Sequence, residues 1–193
     1  MNNQSRILVT YTTNAGSTKE VAERIAATLS HGHAQVDVVP AAQIDDLSGY
    51  TGIVFGGPMI VGWHRKAFRL IQKHREVLAR IPYHVFMTAM EVTGASDDPR
   101  ITVDPKFVRE DGEPRKLTFK EKHTTVAHYT GPLYASKDVP KPRSAALFAG
   151  KLDYTKLKFL QVLFVMLIVG ARPGDKRNWQ FIEKWAEGLT FEQ

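Results

Sequence analysis

Short apolar runs alternate with segments of helical periodicity through the first half of the chain. Residues 6–11 form an apolar run typical of a buried strand, and a polar turn containing glycine follows it. Residues 17–29 then carry Val21, Ile25 and Leu29 at the i, i+4, i+8 spacing of one helix face. The alternation continues with strand-like runs at residues 36–39, 52–55 and 85–89 and a helical pattern at residues 65–80. Strands that alternate with helices predict a parallel α/β sheet.

The alternation stops over residues 95–143, which are rich in proline, aspartate, lysine and glycine. A structureless loop of this length is uncommon inside a compact domain, so we expect an insertion with some strand content, for example at residues 101–103. Beyond the insertion, the pattern predicts a strand at residues 145–149, an apolar helix at residues 159–169 and a last helix at residues 178–189. The chain is therefore expected to be a single domain, residues 1–193, that carries this insertion.

The composition limits the chemistry that the side chains can supply. With 43% apolar residues the chain can bury a core, so global disorder is not expected. The absence of cysteine excludes disulfides, thiolate catalysis, zinc–thiolate sites and cysteine-ligated iron–sulfur clusters, so redox chemistry would need a bound cofactor. The polar start of the sequence leads directly into a strand, which predicts a cytoplasmic protein without a secretory signal. No apolar run reaches the roughly 20 residues of a membrane span.

Basic residues exceed acidic residues by 26 to 20, which gives a net charge of +6. Residues 61–80 contain six of the basic residues and a single acidic residue, Glu76. Either this segment is a solvated helix face, or it attracts an anionic partner such as phospholipid, nucleic acid or a carboxylated small molecule. The six basic residues are Arg65, Lys66, Arg69, Lys73, Arg75 and Arg80.

A short polar loop between the first strand and the first helix carries the most informative chemistry. It consists of Thr12, Thr13, Asn14, Ala15, Gly16, Ser17 and Thr18. Hydroxyl groups, an amide and backbone N–H groups at the positive end of a helix suit a phosphate monoester. A compatible alternative is an ordinary capped helix start, with Ser17 or Asn14 as the N-cap and Glu20 completing a capping box. The loop lacks the lysine of the triphosphate-binding P-loop and the G-x-G-x-x-G of dinucleotide folds, so neither ATP nor NAD is expected.

Other polar residues form no catalytic or metal-binding pattern. His31 and His33 are two residues apart but have no third ligand nearby in the sequence, so no metal site is predicted. The sequence contains no G-x-S-x-G nucleophile motif, and Asp97-Asp98 has no evident acid–base partner. No residue is therefore assigned as catalytic.

The polar loop is similar to the first loop of the flavodoxin superfamily, whose pattern is Ser/Thr-x-Thr-Gly-x-Thr. The positions that fit are Thr13, Gly16, Ser17 and Thr18. Ala15 stands where the family usually has threonine, and residues 46–58 resemble the strand before the family's second flavin loop, ending in Gly-Gly-Pro. The resemblance implies a flavodoxin-like, doubly wound five-stranded parallel sheet of order 2-1-3-4-5, with helices on both faces and the insertion between strands 4 and 5. It also implies one noncovalently bound FMN at the carboxyl ends of the strands.

The same resemblance implies that three loops hold the FMN. The first is the polar loop at residues 12–18. The second loop comprises Gly57, Pro58, Met59, Ile60, Val61, Gly62 and Trp63. The third loop, after the fourth strand, comprises Thr88, Ala89, Met90, Glu91 and Val92. Trp63 either stacks on the flavin ring or packs against the following helix, and His64 beside it is either a proton carrier or an ordinary surface histidine.

Within the superfamily, three further stretches resemble the menaquinone-dependent, oxygen-independent protoporphyrinogen oxidases. They are residues 62–68, residues 148–154, and residues 174–177 followed by Trp179. This likeness implies an FMN-dependent oxidoreductase of heme biosynthesis that moves electrons from a reduced carboxylated substrate, protoporphyrinogen IX, to a membrane quinone. Two alternatives stay open: an FMN electron carrier for a protein partner, and a flavin-free binding module on the same fold, which Ala15 would suit.

The apolar run at residues 159–169 bears on partners and location. The cations that flank it are Lys156, Lys158, Arg172, Lys176 and Arg177. Its eleven residues are too few to span a bilayer, but the run could lie on an anionic membrane surface, form a homo-oligomer contact or be a buried core helix. With a quinone as acceptor, the expected location is the cytoplasm, peripheral to the cytoplasmic face of the inner membrane. A nucleic acid partner is not expected.

Overall fold

The computed structural model describes residues 5–32, 35–59, 65–109, 119–152 and 174–192. The main strands are β1 (Arg6–Tyr11), β2 (Gln35–Pro40), β3 (Gly52–Met59), β4 (Tyr83–Ala89), β6 (Ile101–Val103) and β8 (Ser144–Ala149). They form one sheet of six parallel strands in the order β2-β1-β3-β4-β8-β6. The predicted doubly wound α/β fold is confirmed, because the first five strands of this sheet follow the expected order.

The sixth strand, β6, comes from the insertion. It pairs with β8 in a parallel register that runs from Ile101 opposite Ala145 to Val103 opposite Leu147. The strand content expected at residues 101–103 therefore extends the main sheet at its edge. The remaining short strands are β5 (Val92–Thr93) and β7 (Val108–Arg109), which pair in parallel, and β9 (Lys151–Leu152) and β10 (Gly174–Asp175), which pair antiparallel.

Helices cover both faces of the sheet. They are α1 (Ser17–Ser30), α2 (Arg65–Lys73), α3 (Arg75–Leu78), α4 (Phe119–Lys122), α5 (Val126–Tyr134) and α6 (Trp179–Glu187). The helix expected over residues 65–80 is interrupted at His74, whose φ of −105° and ψ of 19° separate α2 from α3. Buried side chains of α1 and α6 pack in one apolar cluster, and those of α2, α3 and α5 pack in another.

Neighbouring residues of the central strands point into different clusters. Leu8 of β1 and Ile53 of β3 belong to the cluster under α2, α3 and α5, whereas Val9 and Val54 belong to the cluster under α1 and α6. All four side chains are fully buried. Because both faces of these strands are covered, the strands are continuous apolar runs without a polar alternation.

Close packing places the carboxyl ends of β1 and β3 side by side. A Cβ atom on Gly56 of β3 would overlap the ring of Phe86 in β4. The absence of a side chain at Gly56 therefore lets β3 pack closely against β4. The backbone N–H of Thr12 donates to the carbonyl oxygen of Gly56 at 2.9 Å. The polar loop therefore begins at a fixed position above the sheet.

Some predictions fall on parts of the chain outside the described residues. These parts include residues 60–64, with Trp63 and His64, and the apolar run at residues 159–169. Among the helices that are described, none is both long and apolar enough to cross a lipid bilayer.

Candidate functional site

A cavity of about 110 Å³ opens at the carboxyl ends of the parallel strands. Its walls come from the polar loop before α1, the end of β3, the turn after β4, the helical part of the insertion and the segment after β8. The predicted residues that line it are Thr13, Asn14, Ala15, Ser17, Thr18, Pro58, Met59, Thr88, Ala89, Met90 and Glu91. Parts of all three predicted loops thus meet at one cavity, in the position where open α/β sheets bind ligands.

Four of the other predicted site residues are described by the structure, and they do not line this cavity. Val92 is fully buried in the apolar core, and Gly16 forms the start of α1. Thr12 and Gly57 lie together at the ends of β1 and β3, since a Cβ on Gly57 would sit 3.5 Å from Thr12 Oγ1. The remaining predicted positions, Ile60, Val61, Gly62 and Trp63, fall outside the described residues.

The polar loop turns into α1 at Gly16. This residue is the N-cap and has φ 88° and ψ −17°, a left-handed conformation that favours glycine. Its N–H donates to Thr13 Oγ1 at 2.9 Å. The capped-helix alternative is wrong, because neither Ser17 nor Asn14 is the N-cap and no described side chain caps this helix end. The first-turn N–H groups of α1 therefore remain suited to an anion.

A buried pair of hydroxyl groups joins the polar loop to the turn after β4. Thr18 Oγ1 and Thr88 Oγ1 share a hydrogen bond of 2.9 Å. Thr18 is only 1% exposed, so its hydroxyl group depends on this partner in the folded protein. The pair links residues 70 positions apart and fixes the first predicted loop against the third.

Sequence reasoning misses five of the residues that line the cavity. They are Thr124, Tyr129, Gly150, Lys151 and Leu152. Residues 150–152 directly follow the strand predicted at residues 145–149, so the rule that ligands bind at the carboxyl ends of parallel strands could have found them. Thr124 and Tyr129 belong to the insertion, where the sequence gives no periodic pattern that would place a side chain at the site.

Tyr129 brings the insertion to the cavity wall. It is 2% exposed, and its phenol donates a hydrogen bond of 3.4 Å to the backbone oxygen of Glu91. Burial raises the pKa of Tyr129, so the phenol stays protonated at neutral pH and keeps its capacity to donate. Beside it, Thr93 Oγ1 and Thr124 Oγ1 share a hydrogen bond of 2.9 Å, which attaches the insertion to β5.

The segment after β8 packs against both the polar loop and the third loop. The N–H of Lys151 donates to Ser17 Oγ at 3.0 Å, which leaves the hydroxyl hydrogen of Ser17 able to donate to a ligand. The N–H of Gly150 donates to the carbonyl oxygen of Ala89 at 2.8 Å. Among the described residues that line the cavity, Lys151 is the one with a positive charge.

These donors and walls fit a phosphate ester that carries an apolar ring. The groups suited to bind the phosphate are the amides at the start of α1, the hydroxyl groups of Thr13 and Ser17, and the positive charge of Lys151. Apolar contact surface is supplied by Met59, Met90 and the neighbouring alanine and leucine side chains. FMN combines a phosphate monoester with a flat ring, so the described residues are suited to it.

A second groove, of about 490 Å³, lies on the β2 side of the polar loop. It shares Thr13 and Asn14 with the cavity, and its cations are Arg69 and Lys73 of α2. Part of the basic segment identified in the sequence is therefore placed next to the candidate site.

Comparison with known proteins gives one family match. A family model described as a flavodoxin domain matches residues 8–178, whereas no curated protein matches the sequence. A solved flavodoxin from the domain Archaea is 11% identical, with a TM-score of 0.47 and 94% of each chain covered. A short-chain flavodoxin associated with a bacterial microcompartment is 13% identical, with a TM-score of 0.49, 96% of this chain and 97% of that chain covered. Rubredoxin oxygen:oxidoreductase from Desulfovibrio gigas is 12% identical, with a TM-score of 0.41, and the match covers 45% of this chain but only 24% of that chain.

At these identities and TM-scores the solved structures carry no argument about activity. The assignment rests on the family model, whose match at residues 8–178 covers most of the 193-residue chain and every described residue that lines the cavity. The chain therefore belongs to the flavodoxin domain family, and its cofactor is FMN.

Proposed function

We propose that the chain is an FMN-dependent oxidoreductase of the menaquinone-dependent protoporphyrinogen oxidase type. In the overall reaction, a reduced substrate with carboxylate groups loses two electrons and two protons for each quinone that becomes a quinol. FMN, when bound, supplies the electron-transfer chemistry between them. A membrane quinone as acceptor would place the protein at the cytoplasmic face of the inner membrane, and this location is part of the proposal.

The contribution of the insertion to the cavity is the observation that most supports an enzyme. Tyr129 and Thr124 line the same cavity as the polar loop and the turn after β4. An electron carrier needs an exposed cofactor edge for its partner, whereas an enzyme needs a fixed wall that orients its substrate. The buried phenol of Tyr129, held by its hydrogen bond to the Glu91 carbonyl, is suited to be such a wall.

The charge distribution favours a carboxylated substrate. The chain has a net charge of +6, and Arg69 and Lys73 line the groove that shares Thr13 and Asn14 with the cavity. Cations at the mouth of a site raise the local concentration of an anionic substrate and speed its association. Propionate groups on a reduced porphyrin would meet this requirement.

The side chains of the described residues would bind and orient, and we assign none of them as an acid or base. Thr13 and Ser17 would hold the cofactor phosphate together with the amides of α1. Tyr129 would limit the positions open to the substrate on the insertion side. Loss of hydrogens from a porphyrinogen is favourable once the electrons have an acceptor, so positioning is the contribution that we expect from the protein.

The proposal is tested with FMN-loaded protein under anaerobic conditions. The protein is supplied with protoporphyrinogen IX and a soluble menaquinone or ubiquinone analogue, and the fluorescence of the porphyrin product is followed. Product formation should require both the FMN and the quinone. Full flavin occupancy without product in either quinone would contradict the proposal.

A matched pair of variants tests the role of the insertion wall. Tyr129→Phe removes the phenol that bonds the Glu91 carbonyl, and we expect kcat/KM to fall by about 10-fold for the loss of one buried hydrogen bond. Tyr134→Phe is the control, because the hydroxyl group of Tyr134 has no hydrogen-bond partner in the described part of the chain. Tyr134 also does not line the cavity. An equal effect of both variants would show that the wall has no specific role.

Membership of the flavodoxin domain family supports a second candidate, an FMN electron carrier for a protein partner. A carrier would accept electrons from a reduced redox protein and would give them to neither quinone analogue. The anaerobic experiment therefore distinguishes the two candidates. A flavin-free binding module is not proposed, since FMN is the cofactor of the family.

A further inference from the structure

Arg177 neutralises two acidic side chains beside the polar loop. Its Nη1 donates to Glu20 Oε2 at 2.7 Å, and its Nε and Nη2 donate to the two carboxylate oxygens of Asp175 at 2.8 and 2.6 Å. The Arg177 side chain is only 3% exposed, and its guanidinium group lies 4.4 Å from the centre of the Trp179 ring. A forked guanidinium group that is buried and stacked in this way has a fixed geometry.

Lys151 lies in the same cluster but is not part of these ion pairs. It is the register partner of Asp175 in the antiparallel pair of β9 and β10. Hydrogen bonds from Arg177 lower the pKa of Asp175, and the positive charge of Lys151 lowers it further. Arg177 binds both oxygens of Asp175, and within the described residues Lys151 forms no ion pair of its own.

The position of Lys151 relates this cluster to the cofactor site. Lys151 lines the cavity, and its N–H donates to Ser17 in the polar loop. A phosphate monoester carries a charge of about −1.5 to −2 at neutral pH. The polar loop, residues 12–18, contains no lysine or arginine that could neutralise this charge. Glu20, in the first turn of α1, would repel the phosphate if no cation neutralised it.

We propose that Lys151 is the cation that binds the FMN phosphate, and that Arg177 keeps Lys151 available by neutralising Glu20 and Asp175. Arg177 is then a positioning residue, which acts on the phosphate through the two carboxylates. Without Arg177, Asp175 would attract Lys151 as its register partner, and Glu20 would stand unneutralised at the phosphate end of α1. The premise is FMN as cofactor, and the inference does not depend on the electron donor or acceptor.

The first test compares FMN with riboflavin, which has the same ring but no phosphate. Lys151→Gln should weaken FMN binding by about 10- to 100-fold, the loss expected for one charge-assisted hydrogen bond. Riboflavin binding should change by less than about twofold, and added salt should weaken FMN binding less in the variant than in the original protein. Fluorescence quenching of each flavin gives the dissociation constants.

Lys176→Gln is the matched control for the change in net charge. Lys176 is exposed and follows Asp175 directly, but it does not line the cavity. FMN binding in this variant should stay within about twofold of the original, because an exposed charge outside the site is largely screened by salt. Equal weakening by Lys151→Gln and Lys176→Gln, or unchanged FMN binding in Lys151→Gln, would overturn the proposal.

The second test concerns Arg177. Arg177→Gln should weaken FMN binding more than riboflavin binding, and adding Asp175→Asn should restore most of the FMN affinity because Lys151 then has no competing carboxylate. Loss of FMN binding that the second substitution does not restore would contradict the positioning role. If Arg177→Gln does not fold, the Lys151 and Lys176 variants decide the proposal.

The unmodified protein separates failure of this proposal from failure of the others. A wild-type protein that binds neither flavin would refute the cofactor assignment. A wild-type protein that binds FMN without reducing quinones would refute only the proposed enzyme function.

Discussion

Acidification is expected to destabilise the protein through one buried histidine, His84 of β4. This side chain is 3% exposed, with Nδ1 2.8 Å from Ser144 Oγ and Nε2 3.1 Å from the carbonyl oxygen of Thr190. Because a carbonyl oxygen can only accept, Nε2 carries the hydrogen and Nδ1 accepts from the Ser144 hydroxyl group. Both nitrogens of the neutral ring therefore have a partner, although the hydrogen bond to the Thr190 carbonyl by itself raises the pKa of His84.

The environment of His84 opposes a positive charge. Burial lowers the pKa of His84 to about 4, and the nearby charge of Arg143 acts in the same direction. A histidine in an unfolded chain has a pKa of about 6.5, so the unfolded state binds more protons between these two values. The contribution of neutral His84 to stability is therefore fully present above about pH 6.5 and is lost as the pH falls toward about 4.

The two pKa values give the expected size of the effect. At about pH 5, linkage predicts that the free energy of unfolding is about 2 kcal/mol lower than at about pH 7.5 because of this one group. That is a large part of a typical net stability of about 5 to 15 kcal/mol. Urea unfolding followed by circular dichroism at the two pH values measures the difference.

His84→Gln separates this effect from other titrating groups, because glutamine is neutral at both pH values. The loss of stability on acidification should be about 2 kcal/mol smaller in the variant than in the original protein. The reasoning is refuted if His84→Gln and the original protein lose the same stability between the two pH values.

Three further substitutions have outcomes that the packing determines. The Cβ of Gly56→Ala would overlap the Phe86 ring and should lower the free energy of unfolding, measured with urea, by about 1 to 3 kcal/mol. The Cβ of Gly57→Ala would make ordinary contacts at 3.5 Å, so this change should have little effect. Equal losses of stability would contradict the packing argument. Gly16→Ala should lower stability by about 1 to 2 kcal/mol because of its positive φ, although open space surrounds the new Cβ, and an unchanged unfolding midpoint would count against the left-handed N-cap. Thr18→Val leaves the Thr88 hydroxyl group buried without its partner and should cost about 1 to 3 kcal/mol of stability. If the hydroxyl pair is the cause, a second change, Thr88→Val, should recover most of the lost stability.

The sequence was sufficient to predict the fold and much of the cavity wall because both depend on local patterns. Apolar runs such as residues 6–11 mark strands that are buried on both faces, and the chain order of strands and helices then restricts the topology. The polar loop and the turn after β4 follow directly from the ends of predicted strands. Their residues line the cavity because the carboxyl ends of parallel strands lie at one edge of the sheet.

What the sequence could not show depends on contacts between distant residues. Lys151 reaches Ser17 across 134 positions, and Tyr129 reaches Glu91 across 38 positions. No periodic pattern encodes such pairings. The start of α1 differs from the predicted capping box for a related reason, since Glu20 forms an ion pair with the distant Arg177.

The most direct test of the account is titration of the flavin-free protein with FMN. The polar loop, the turn after β4 and the segment after β8 line one cavity, so one FMN per chain should bind with quenching of its fluorescence. Gly16→Ala should weaken this binding, because the loop that receives the phosphate needs the left-handed conformation of Gly16. FMN fluorescence that stays unquenched in the presence of excess folded protein would contradict the account.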